Sequence, residues 1–91
     1  MTRPENTIMK VYPNPVVNNF SVEFNLDAPA VLNIYIVDIT GRLVKELYTG
    51  SAKDGDNTFS FNKANLSNGV YYLMINSNSK IIKNEKIVIA D

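Results

Sequence analysis

Alternation with a period of two constrains this chain more than any other feature. Phe20, Val22, Phe24 and Leu26 fall on one side of an extended segment, and Ser21, Glu23 and Asn25 on the other. A strand built this way has one buried face and one wet face, whereas a helix would scatter the same apolar groups around its axis. The run 31–39, Val-Leu-Asn-Ile-Tyr-Ile-Val-Asp-Ile, is dense in β-branched and aromatic residues. Such residues fit a pleated, half-buried surface, and Leu32, Ile34 and Ile36 are expected to point inward. Asp27, Ala28 and Pro29 break the two runs apart, because Pro29 fixes its own φ and has no N–H to give a ladder. Helical periodicity is absent throughout.

Turn chemistry divides the rest of the chain. Asp38-Ile39-Thr40-Gly41-Arg42 predicts a hairpin into a strand at 43–48, with Gly41 supplying the positive φ of a tight antiparallel turn. The polar stretch 49–57, which contains Gly50 and Asp54-Gly55-Asp56, predicts a loop before a short strand at 58–61. Leu66-Ser67-Asn68-Gly69 predicts a turn into the run 70–77, with Tyr71, Leu73 and Ile75 facing the core and Tyr72 and Met74 facing away. Asn76-Ser77-Asn78-Ser79 then turns the chain into a last strand, 80–89, ending in Ile87-Val88-Ile89. With a short extended piece at 8–11, this makes about seven strands with turn signals roughly every 8 to 12 residues. The expected fold is all-β, an immunoglobulin-like antiparallel β-sandwich. A chain of 91 residues can bury one core and no more. Residues 1–8 are expected to be linker, residues 9–91 the sandwich.

The residue inventory speaks against catalysis. There is no His and no Cys, which removes the usual general base near neutral pH, the commonest transition-metal ligand and the most reactive nucleophile. No Gly-x-Ser-x-Gly elbow or phosphate loop organises the remaining serines and carboxylates. The chain is therefore read as a non-enzyme with no cofactor and no small-molecule substrate. Nine Lys and Arg offset nine Asp and Glu, and Lys80, Lys83 and Lys86 are diluted by isoleucines and a glutamate, so nucleic acid is not an expected partner. No apolar run approaches the roughly 18 residues of a membrane span, and no signal peptide opens the chain. Any such signal is expected to lie outside this segment.

Three features have both a functional and a structural reading. Asp54-Gly55-Asp56-Asn57 offers oxygens to Ca²⁺ but lacks the six to eight ligands such a site needs, so a solvated turn is preferred. Tyr12, Tyr35, Tyr48, Tyr71 and Tyr72 could stack on sugars, yet alternation separates Tyr71 from Tyr72 and Tyr35, and packing is preferred. The lysines of the last strand are a standard defence of a sheet edge. That reading weakens if a partner docks on the terminal strand itself.

Read in order, four blocks resemble a known family: Val11-Tyr12-Pro13-Asn14-Pro15 before a Phe-rich strand, Asp38-Ile39-Thr40-Gly41-Arg42, Leu66-Ser67-Asn68-Gly69-Val70-Tyr71, and Lys86-Ile87-Val88-Ile89. Their order and spacing are similar to the type A C-terminal sorting domains of the type IX (Por) secretion system. The resemblance implies a domain that follows a cargo protein in the same chain. It implies recognition in the periplasm by shuttle proteins and an outer-membrane translocon, then removal before Tyr12 by a sortase-like peptidase as the cargo reaches the cell surface or medium. Carried over by position, the recognition residues are Gly41, Gly69, Tyr71 and Lys86. Lys80, Lys83, Ile87, Val88 and Ile89 complete the terminal strand tied to export. The alternative from another class is a glycan-binding or spacer module of a surface hydrolase, since a small sandwich serves either role.

Overall fold

The computed structural model describes residues 9–90. It holds seven strands: β1 (Lys10–Tyr12), β2 (Asn19–Leu26), β3 (Ala30–Val37), β4 (Leu43–Ala52), β5 (Gly55–Asn62), β6 (Gly69–Ser77) and β7 (Lys80–Ile89). They form two sheets, one in the order β1-β2-β5 and the other in the order β4-β3-β6-β7. Every strand pair is antiparallel. The connections β3–β4 and β6–β7 are hairpins within a sheet, β1 and β2 pair through a longer connection that touches β7 of the other sheet at Val16, and the other three connections cross between sheets. This is the expected immunoglobulin-like sandwich.

Alternation decides what fills the space between the sheets. From β2 come Phe20, Val22, Phe24 and Leu26, from β3 Leu32, Ile34 and Ile36, from β6 Leu73 and Ile75, and from β7 Ile87 and Ile89, all of them buried. Rings pack at the β2–β5 side, where Phe20 lies 5.7 Å from Phe61 and Phe24 lies 5.7 Å from Phe59. Tyr48 of β4 reaches across to Phe59 at 4.6 Å. Aromatic groups at such separations contribute beyond the area they bury.

The strands at 20–26, 70–77 and 80–89 lie where alternation placed them, within a residue. Elsewhere the boundaries differ for identifiable reasons. β3 stops at Val37 rather than 39, because Asp38 takes over the backbone geometry of the turn and leaves Ile39 in water. The polar stretch 49–57 is not a loop. β4 continues to Ala52 and β5 begins at Gly55. Its backbone is laddered by Ala30↔Ala52 and Asn33↔Thr49 on one side and by Leu26↔Gly55 and Phe24↔Asn57 on the other. Both are edge strands, whose outward side chains can be polar without weakening the main-chain bonds. The buried Asn57 amide bridges the short connection, donating to the carbonyls of Lys53 at 2.9 Å and Gly55 at 3.2 Å. The extended piece at 8–11 is β1, and Ile8 lies outside the described residues.

Register gives a direct test. Ile34 is fully buried and Val31, three positions earlier on the opposite face of the same strand, is mostly exposed. Ile34→Ala should lower the unfolding free energy by about 2–5 kcal/mol in urea titrations. Val31→Ala should change it by about 0.5 kcal/mol or less. Equal effects would mean that β3 is out of register.

Candidate functional site

The four blocks singled out in the sequence come together at one end of the four-stranded sheet. β3 leaves the sheet at Val37 and β4 enters it at Leu43, while β6 enters at Gly69 and β7 leaves at Ile89. Antiparallel pairing brings these ends side by side. Leu43 faces Val37, Val37 faces Tyr72, and Tyr72 faces Lys86, so one row crosses all four strands on the side away from the core. Beyond Lys86 the row ends on Asn14, whose Nδ2 donates to the Lys86 carbonyl at 3.1 Å.

The β3–β4 turn is organised by one carboxylate. Asp38 Oδ1 accepts from the Thr40 N–H at 2.9 Å, the Thr40 hydroxyl at 2.6 Å and the Arg42 N–H at 3.0 Å. Its Oδ2 lies 3.3 Å from Arg42 Nε. The Thr40 hydroxyl bond, the Arg42 and Thr40 main-chain bonds and the nearby guanidinium all favour the charged form and hold this carboxyl at about 2. Gly41 closes the turn at φ +90°, a conformation side chains rarely adopt, and donates its N–H to the Asp38 carbonyl at 2.9 Å.

At the start of β6 the packing is set by Tyr71. Its ring packs against the core, and its hydroxyl donates to the Ser67 carbonyl at 2.8 Å. That bond pins the turn before β6 in the manner of a tyrosine corner of sandwich domains. Gly69, at φ +155°, lets the chain enter the strand there.

The end so built is largely apolar on its outside. Ile39, Leu43, Val70 and Tyr72 are all more than a third exposed, and Ile39 reaches 71%. A shallow groove of about 250 Å³ runs beside them, lined by Tyr35, Val37, Leu43 and Glu46 among others. Scattered exposed apolar groups are ordinary; a contiguous set rimmed by polar residues is how interaction surfaces look.

The sequence-predicted residues divide between this surface and the core. Lys86 is exposed in the row, whereas Gly41, Gly69 and Tyr71 shape the backbone beneath it. Ile87 and Ile89 lie inside the core, and Val88 is half-buried. The lysines do not form one stripe. Lys80 is at the hairpin tip, half-buried Lys83 stands opposite core-facing Ile75, and Lys86 stands opposite outward Tyr72. Of the tyrosines, Tyr35 and Tyr72 share the outer face. Tyr12, Tyr48 and Tyr71 donate to Glu23, to the Ser51 carbonyl and to the Ser67 carbonyl. Asp56 accepts from Asn25 Nδ2 at 2.9 Å across β2–β5, and among the described residues no cluster of three or more acidic groups could hold a metal. Sequence reasoning missed Asn14 and the Asp38 carboxylate. An asparagine between two prolines carries no periodic signal, and the 38–42 turn is marked by its glycine and not by its carboxylate.

Asp38 also sets an acid limb. Its folded carboxyl is lowered to about 2 from the ordinary 3.8. The unfolded chain therefore binds more protons between these values, and the stabilisation, complete above about pH 4, is lost as pH falls toward 2. Asp38→Asn should flatten that part of a stability-against-pH curve measured by urea unfolding. An unchanged curve would mean that the carboxylate does not organise the turn.

A family model described as the secretion system C-terminal sorting domain matches residues 10–90. No curated protein matches the chain closely enough to count as a relative. The matched span takes in all seven strands, both turns and the row that joins them. On that match the chain belongs to the C-terminal sorting domain family of the type IX secretion system.

Proposed function

We propose that residues 9–91 act as a non-catalytic address. They carry an upstream cargo through the periplasm to the type IX translocon with the help of shuttle proteins, and a sortase-like peptidase then cuts them off before Tyr12 at the cell surface. The observation that supports this reading is the convergence of the four blocks on one exposed, largely apolar end of the sheet. Residues needed only for folding would be expected throughout the core. Here Lys86 is the exposed contact, with Gly41, Gly69 and Tyr71 as the groups that shape the surface around it. The tyrosines offer less support to glycan binding, since the rings of Tyr48 and Tyr71 pack against the core and only Tyr35 and Tyr72 share the outer face of the four-stranded sheet.

The test must avoid truncation. Removing the last strand would take Ile87 and Ile89 out of the core, so lost export would report lost folding. Residues 9–91 should instead be fused to a periplasmic reporter in a host with this secretion system. Leu43→Glu, Tyr72→Glu and Lys86→Glu are expected to cut export at least about tenfold with little change in melting temperature, and Val31→Glu, away from the row, to leave export intact. Export of all four variants at the wild-type level would count against this surface, and failure of the unmodified fusion to be exported would count against the sorting role.

A further inference from the structure

β7 pairs with β6 along one side, and its other side is a sheet edge. Unpaired main-chain groups on an edge invite another strand, and natural domains defend against that. The two halves of this edge are defended differently. From residue 80 to 85 the defence belongs to the strand: Lys80, Lys83 and Glu85 carry charge, and the ladder to β6 slips where Ile82 is the extra residue between Ile81 and Lys83. From residue 86 to 90 the strand reads Lys-Ile-Val-Ile-Ala with no register shift. Here the cover is a separate piece of chain, residues 14–16, which belongs to none of the seven strands.

That piece is seated like a short parallel strand. Val16 N–H donates to the Val88 carbonyl at 2.7 Å, and Ala90 N–H donates to the Val16 carbonyl at 2.9 Å. Pro13 and Pro15 have no N–H to offer, and the Asn14 side chain takes over. Its Nδ2 donates to the Lys86 carbonyl at 3.1 Å, and its Oδ1 accepts from Val88 N–H at 3.0 Å. The Val16 side chain is fully buried in the core. Three residues held by four hydrogen bonds and one aliphatic side chain form a smaller cooperative unit than strands laddered on both sides, so they open at lower cost.

We propose that residues 14–16 are a displaceable strap, and that the edge beneath it, from Lys86 to Ala90, is an acceptor for an extended strand of a partner protein. Opening the strap frees the Lys86 carbonyl, both main-chain groups of Val88 and the Ala90 N–H, and it empties the Val16 seat in the core. The strap itself displays the chemistry of the occupant. It is an extended segment running parallel to β7, with an aliphatic side chain to fill the Val16 seat and an amide two residues earlier to meet Lys86 and Val88. Strand addition of this kind takes affinity from main-chain bonds and selectivity from the seated side chain. The proposal does not rest on the sorting role; it names how a partner would grip the terminal strand.

Amide hydrogen exchange on the full chain tests it. In the wild type, Val88 and Ala90 should exchange faster than the amides of β3 and β6, through an opening smaller than global unfolding. Asn14→Ala removes two of the four bonds and should speed Val88 and Ala90 about tenfold, leaving β3 and β6 little changed. Asn14→Ser serves as the second variant if Asn14→Ala does not fold. A synthetic peptide with the chain's own residues 12–18, added to the Asn14→Ala chain, should bind and slow Val88 and Ala90 again. The same peptide carrying Val16→Asp should not. The proposal is overturned if Val88 and Ala90 exchange only with the whole domain, or if the peptide restores no protection, or if the Val16→Asp peptide protects equally well. None of these readouts involves export, so a domain that failed as a secretion signal could still pass them, and the reverse.

Discussion

Val16, Ile87 and Ile89 pack into one core from opposite ends of the sequence. The last strand is laddered to β6 on one side and strapped by residues 14–16 on the other, so the beginning and end of the domain close on each other. Much else depends on this contact. Without Ile87 and Ile89 the inner face of the four-stranded sheet loses its outermost row, and without the strap the edge of that row is open to any extended chain. Contacts so distant along the chain cost loop-closure entropy before they return anything. A domain of this size without disulfides must recover that cost by packing alone.

The same closure creates the exposed end of the sheet. Bringing the end of β7 beside the start of β6 sets Lys86 opposite Tyr72, and the β3–β4 turn adds Val37 and Leu43 to the row. Core and surface therefore share their residues' neighbours: Ile87 is buried because Lys86 is not. From Lys83 onward β7 pairs with β6 without a further shift and its two faces alternate, so a one-residue slip there would bury the lysine and expose the isoleucine. An address written on such a strand cannot be separated from the fold that displays it.

Some of this was legible from residue types. Phe20 to Leu26, Leu32 to Ile36 and Leu73 to Ile75 announced their inward faces, because burial of alternate side chains leaves its mark directly in the order of residues. Gly41 and Gly69 announced their turns, because only glycine takes those φ values at no steric cost. The polar strands β4 and β5 were less visible between 49 and 57. Edge strands are held by main-chain bonds that every residue can make, and hydrophobic pattern reports on side chains only.

What the sequence determined by itself is therefore the class of structure: strands of a given number and facing, joined by turns of given chemistry, and too small for more than one core. Tertiary structure decided which distant segments meet. It set Asn14 against Lys86 and Val88, separated by 72 and 74 positions, split the three lysines of β7 between two faces and an end, and brought four dispersed blocks to one end of the four-stranded sheet. The physical reason is that alternation is a local property of the chain, fixed by the geometry of successive Cβ atoms. The order of strands in a sheet and the cover of its edges depend on pairings among residues far apart, which leave no periodic trace.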